Sequence, residues 1–170
     1  MLNRNATIEQ ICAIGPVLQE LAELLVKVVE DGASIGFLPP LSLEDASVYW
    51  RQAAGPDVIL YVVRLDARMV GTVQLQLCSK QNGAHRAEIA KLMTHPNARR
   101  QGIGRALMLE AEARAKREGR TLLVLDTREG DPSNLLYKSL DYLEAGRIPD
   151  FAKSANGELH ATVLYYKRVD

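Results

Sequence analysis

The stretch His95-Pro-Asn-Ala-Arg99-Arg100-Gln101-Gly102-Ile103-Gly104-Arg105 gathers three arginines and two glycines where the residue pattern passes from a strand into a helix. Such an entrance suits an anion. The first N–H groups of a helix lack an internal partner and carry the positive end of its dipole, while glycine lets a phosphate come close to the main chain. Arg99, Arg100 and Arg105 add positive charge. A dinucleotide-binding turn would place a third Gly or Ala three residues past the second glycine, where this chain has Leu107. A triphosphate loop needs G-x-x-x-x-G-K followed by Ser or Thr, which is absent. What remains is a diphosphate-binding turn, with an ordinary basic surface turn as the alternative.

Two carboxylates lie near this turn. Glu88 sits on the strand that leads into it, and strict alternation would set Glu88, Ala90, Leu92 and Thr94 on one face. Asp126 ends the next strand of the pattern. If those strands run parallel, both carboxylates approach the crevice at the strands' carboxyl ends, where α/β sheets commonly hold ligands. Each can take a proton there, or simply join a strand-end ion pair.

The elements that must position these groups follow from periodicity. Val17, Leu18, Leu21, Leu24, Leu25, Val28 and Val29 recur at helical spacing between Pro16 and Asp31, with Gly32 as the stop. A loop rich in Gly and Pro reaches Pro40, and Ser42 with Asp45 can cap a second helix toward Ala54. Val58 to Leu65 and Met69 to Leu77 read as a hairpin around Asp66-Ala67-Arg68, and Ala87 to Thr94 as a third strand. Ile103, Leu107, Ala111 and Ala115 define a helix ending near Gly119, and Leu122 to Leu125 a buried strand. Strand, helix, strand suggests a parallel crossover. Asp131-Pro132 opens a short helix to about Leu140, and Tyr142 to Ile148 and His160 to Lys167 complete an α/β chain with a mixed sheet.

The bulk composition narrows the function classes. The 170 residues suit one domain, residues 1–170, and Lys plus Arg equals Asp plus Glu at 21 each, so no overall charge draws the chain to nucleic acid or membrane. Any anion must be held locally. Cys12 and Cys78 form no C-x-x-C pair, and His85, His95 and His160 lack metal-ligand spacing, so we expect free thiols and no metal. The start of the chain lacks a signal-peptide pattern, and no run of eighteen apolar residues occurs, which makes a cytoplasmic protein the expectation.

Arg99-Arg-Gln-Gly102-Ile-Gly104 resembles the R-x-x-G-x-G/A signature of the GNAT superfamily of N-acetyltransferases, and Glu88 through Tyr142 is similar to that family's order of strand, loop, helix, strand, helix. The resemblance implies a mixed, mostly antiparallel sheet whose central parallel strand pair splays to hold acetyl-CoA, with helices on both faces. Its cofactor contacts would fall on Leu92, Met93, Thr94, Arg99, Arg100, Gln101, Gly102, Ile103, Gly104, Arg105, Ser133 and Tyr137. A main-chain N–H of Leu92, Met93 or Thr94 would meet the acetyl oxygen. Glu88 and Asp126 would be the bases and Tyr137 the acid, although Tyr137 also reads as a core tyrosine. The chain departs from the family pattern at Gly130, where Asn is frequent, and at Asp141, where Gly is usual.

Further blocks extend the resemblance to a branch of the superfamily whose acceptor is a small β-lactam amino-acid toxin. These are Gly32-Ala-Ser-Ile-Gly36-Phe37, the segment from Asn82 to Met93, Leu125-Asp126-Thr127 and the tail from Gly157 to Lys167. They imply pocket edges at Gly32 to Phe37 and Gly146 to Gly157. The expected activity is transfer of an acetyl group from acetyl-CoA to a small-molecule amine, with antibiotic or toxin resistance as its use. Acetylation of a protein or peptide, or a CoA-binding sensor without catalysis, are the alternatives; the oligomeric state is not legible.

Overall fold

The computed structural model describes residues 5–170, so the first four residues of the expected domain lie outside the described residues. Seven strands form one sheet in the order β1-β2-β3-β4-β5-β7-β6. They are β1 Ala6–Ile11, β2 Val58–Leu65, β3 Arg68–Leu77, β4 Arg86–Thr94, β5 Leu122–Arg128, β6 Leu143–Lys153 and β7 Leu159–Arg168. Every neighbouring pair is antiparallel except β4 and β5. The helix α3, Ile103–Arg117, makes the crossover between those two strands.

Each face of the sheet has its own core. On one, α1 (Leu18–Glu30) and α2 (Leu43–Ala53) bury Leu21, Leu25, Val28 and Trp50 against Leu60, Val62 and Met93. The apolar stripe of α1 accounts for this, since fully burying each such side chain is worth about 1.5–3 kcal/mol. The Trp50 indole donates to the Leu21 carbonyl at 2.9 Å, which ties α2 to α1. Ser42 caps α2 by accepting from the Asp45 N–H at 3.0 Å, as its sequence suggests.

On the other face, α3 and the short α4 (Ser133–Ser139) cover Val73, Leu75, Ile89, Leu123 and Tyr165. The approach of α3 to β3 depends on Gly71. A Cβ there would stand 2.7 Å from Ile103 Cγ2 and 3.1 Å from both Leu107 Cδ1 and the Met93 carbonyl.

Three elements differ from the sequence expectations. Ala6–Ile11 pairs with β2 as an edge strand whose pattern is too exposed to announce itself. The strand β5 continues past Leu125 to Arg128, so Asp126 lies within it. The strand β6 runs on to Lys153 through Pro149, which an edge strand tolerates and a central one does not. No helix among the described residues is long and apolar enough to cross a membrane.

Candidate active site

The parallel pair β4 and β5 stays in register only through Arg86 with Leu122, Ala87 with Leu123 and Glu88 with Val124. Beyond Glu88 the two strands separate. The cause is visible on the other side of β4, where the register against β3 slips between Thr72 and Gln74. Met93 faces Thr72 and Ala90 faces Gln74, so β4 carries one residue more than its partner over that step, at Lys91 and Leu92. Lys91 adopts φ +50°, and the Thr72 hydroxyl donates to its carbonyl at 2.9 Å, fixing the bulge.

The bulge corrects the alternation expected for β4. Glu88 lies opposite Ala87 and Ile89, which face α3, but Leu92 packs with the α3 core and Met93 with the α1–α2 core. Glu88 and Met93 therefore share a face, and Leu92 does not join them. On β5, Leu123 and Leu125 face α3, which turns Asp126 to the same side as Glu88.

Both carboxylates are exposed at the gap. Partial desolvation raises the Glu88 pKa, the Asp126 charge raises it further, and the Lys91 ammonium opposes both. Asp126 accepts from the buried Thr162 hydroxyl at 2.7 Å, which holds its side chain in place. On the same face the Gln74 amide donates to the Tyr49 hydroxyl at 3.1 Å and accepts from Gln76 at 3.0 Å, while Gln76 stands opposite Glu88 in register.

Tyr137 lies on the opposite face of the sheet, in the core under α3. It is 5% exposed, and its ring stands 6.0 Å from Tyr142 and 5.8 Å from Tyr165, centroid to centroid. Burial foremost, then the charges of Asp126 and Asp131, raise its pKa well above the ordinary phenol value, so it keeps its proton at neutral pH. The sheet thus has a protonated phenol on one face and two carboxylates on the other.

At the end of β4 the chain turns into α3. Arg100 at φ +64° and Gly102 at φ +78° make the left-handed steps, Gly102 being the residue just before the helix. The first turn of α3 contains no carboxylate, and its last turn carries Arg114, Lys116 and Arg117, a charge distribution that leaves the positive end of the dipole uncompensated. Arg99 pairs with Asp31 at 2.6 Å, Arg105 donates to Ser139 on α4 at 3.1 Å, and Arg100 is exposed. A Cβ on Gly104 would lie 3.3 Å from Leu136 and 4.0 Å from the Thr94 hydroxyl, so Thr94, the helix entrance and α4 crowd together. Ser133, the first residue of α4, shares a hydrogen bond of 2.7 Å with Thr127.

The two loop segments expected to edge the pocket do meet. The Arg128 guanidinium donates to the Gly32 carbonyl at 3.1 Å and to Ser154 at 3.0 Å, joining the loop after α1 to the β6–β7 turn. Asn134 is structural: it donates to the carbonyls of Arg128 and Asp131 and accepts from Tyr165. Asp141 has φ +63°, which explains why glycine suits that position elsewhere. Lys91 is the site residue that sequence reasoning missed, because plain alternation assigns it to the core.

The fold and this site define an α/β protein with a split parallel strand pair and, at the end of β4, a helix entrance suited to an anion. Comparison with known proteins agrees. Residues 21–142 match the Acetyltransferase (GNAT) family. The chain is 32% identical over 115 residues, 66% of its length and 68% of the relative's, to an uncharacterized N-acetyltransferase in the hisH-hisA intergenic region of Azospirillum brasilense. An N-acetyltransferase from Staphylococcus aureus Mu50 superposes with a TM-score of 0.83 at 14% identity, covering 98% of this chain and 99% of that one. The yncA protein of Salmonella typhimurium, solved with its cofactor acetyl-CoA, gives 0.81 at 16% identity over 98% and 95% of the two chains. The chain belongs to the GNAT family of acetyltransferases. It is an enzyme of acetyl transfer, with acetyl-CoA as the acyl donor of that chemistry.

Proposed function

We propose that this enzyme acetylates the primary amine of a small molecule through the opening between β4 and β5, with donor and acceptor entering from opposite faces. The observation that carries this reading is the parallel pair that parts after Glu88, with Glu88 and Asp126 on one face of the sheet and Tyr137 on the other. The diphosphate of acetyl-CoA binds at the Arg99 to Gly104 turn, on the N–H groups of Gln101 to Arg105 and the nearby arginines, beside Ser133. Its thioester then lies at the bulge, where a main-chain N–H of Leu92, Met93 or Thr94 stabilises the carbonyl oxygen as it gains charge.

The acceptor amine enters on the side of Glu88 and Asp126. An alkyl ammonium near pKa 10 is about three units from its nucleophilic form at neutral pH, a cost of about 4 kcal/mol. A carboxylate with a raised pKa is a better proton acceptor than an ordinary one, and Glu88 has that property. Attack forms the C–N bond and breaks the C–S bond, and Tyr137 gives its proton to the leaving sulfur. The fixed hydrogen bond from Thr162 suits Asp126 to orienting the ammonium or relaying its proton through water.

For the acceptor itself, the blocks from Gly32 to Phe37 and from Asn82 to Met93 resemble the tabtoxin resistance protein, which favours a β-lactam amino-acid toxin or a related antibiotic. The close approach of the two loops around Arg128 supports a small, partly roofed pocket. The test is thiol release from acetyl-CoA across amino acids, amino-acid antibiotics, aminoglycosides, polyamines and peptides. Turnover is expected with small amines, and Tyr137→Phe should lower kcat by about 10² to 10⁴ while calorimetry shows CoA binding retained. Peptide-only turnover, or an unchanged rate in the Tyr137 variant, contradicts the reading.

A further inference from the structure

The bulge in β4 also redirects a cationic side chain, besides splitting the strand pair. If β4 alternated regularly, Lys91 would follow Ala87 and Ile89 into the α3 core. The left-handed step at φ +50° instead turns its side chain to the α1–α2 face, where Nζ lies 5.5 Å from the Tyr49 ring centroid. A Cβ built on Gly36 would stand only 3.7 Å from that nitrogen. The ammonium is therefore held between α2 and the loop after α1, on the side of the sheet that carries Glu88 and Asp126.

We propose that Lys91 binds a carboxylate of the acceptor, so that the enzyme selects amines that also bear a carboxylate, amino acids above all. This inference rests on the acetyl-transfer reading and narrows its substrate class. A non-glycine residue at positive φ is uncommon and is retained where the surrounding structure imposes it, often at functional sites. Among the described residues the Lys91 ammonium makes no hydrogen bond or ion pair; it lies over the face of Tyr49 and feels the Asp126 and Glu88 carboxylates only at longer range. Burial lowers its pKa, and the charges of Asp126 and Glu88 counter that effect.

An ammonium without a direct ion-pair partner beside the binding place of another ammonium works against a simple amine or a polyamine. A carboxylate on the acceptor reverses the sign. The acceptor's own amine then faces Glu88 and Asp126 while its carboxylate meets Lys91 under the Gly36 loop, a match of opposite charges at both ends. Tyr49, whose pKa is raised by burial, stays neutral beside the pair.

The experiment measures kcat/KM for free amino acids and for their carboxamides in the wild-type enzyme, Lys91→Met and Lys91→Arg. Comparing the acid-to-amide ratio between proteins cancels the different basicity of the two amines. The ratio should fall about 10- to 100-fold in Lys91→Met, chiefly through KM for the acid, and recover partially in Lys91→Arg. An equal loss on acid and amide, an unmoved ratio, or a wild-type preference for the amide overturns the inference but leaves acetyl transfer standing. No thiol release by the wild-type enzyme with any amine removes both.

Discussion

Asp126 and Glu88 share a face of the sheet, and the charge of the first shifts the titration of the second. The Asp126 charge is the second cause, after burial, of the raised Glu88 pKa, and Lys91 pulls the other way. If Glu88 takes the amine proton, activity is present above its pKa and falls as pH drops through it, so the acid limb of kcat/KM lies above the ordinary carboxylate range. Asp126→Asn removes a raising charge and should move that limb to lower pH in whatever activity remains. A limb that stays in place, or moves upward, assigns the titration to another group. Glu88 and Asp126 were legible as residues of interest because strand patterns put both near the anion-binding turn. Lys91 was not, since its direction depends on one left-handed residue, and nothing in Ala90-Lys91-Leu92 announces a bulge that arises from pairing with Thr72 and Gln74.

Among the elements, α3 carries the anion turn, and its seat is Gly71. The 2.7 Å contact that a Cβ would make there is with Ile103, the first residue of α3, and the 3.1 Å contacts are with Leu107 and the Met93 carbonyl, so Gly71→Ala must push the helix entrance outward. A cost of about 1–3 kcal/mol is expected for such overpacking. In a domain of this size that lowers the melting temperature by roughly 2–4 °C per kcal/mol. CoA affinity should weaken in parallel. Gly55→Ala is the control, because nothing lies within 4 Å of its Cβ position. Equal melting temperatures for the two variants would mean that α3 has room to spare. The helices were readable from sequence because their apolar stripes and caps are local, as with Ser42 and Gly32, although Pro16 falls in a 3-10 turn ahead of α1. The edge strands were not. In β1 half the residues face solvent, and in β6 Pro149 and the irregular steps after Glu144 and Ile148 blur the period, features that blunt an open sheet edge.

For the molecule as a whole, three residue pairs join the half of the sheet built on β1 to β4 with the half built on β5 to β7. Acetyl-CoA lying in the opening would bridge the halves and act as an internal brace. At a concentration 100 times its dissociation constant a ligand adds about 2.7 kcal/mol to a folded protein. For this chain length that corresponds to a melting-temperature rise of about 5–10 °C. Differential scanning fluorimetry with CoA should show it, and a flat response up to millimolar CoA would place the ligand elsewhere. The fold class and the splayed pair were expected from the family signature. The separation of Tyr137 from Glu88 and Asp126 onto opposite faces was not, because it follows from tertiary packing of Tyr137 against Tyr165 and Tyr142.

The partner of Arg99 is Asp31, one residue before the Gly32 carbonyl that Arg128 grips. Both members of the Arg99–Asp31 pair are substantially solvated, at 47% and 41% exposure, and such a pair is worth at most about 1 kcal/mol. If acetyl-CoA seats its diphosphate at the Arg99 to Gly104 turn as proposed, it would compete with Asp31 for Arg99 and loosen the tie between that turn and the end of α1.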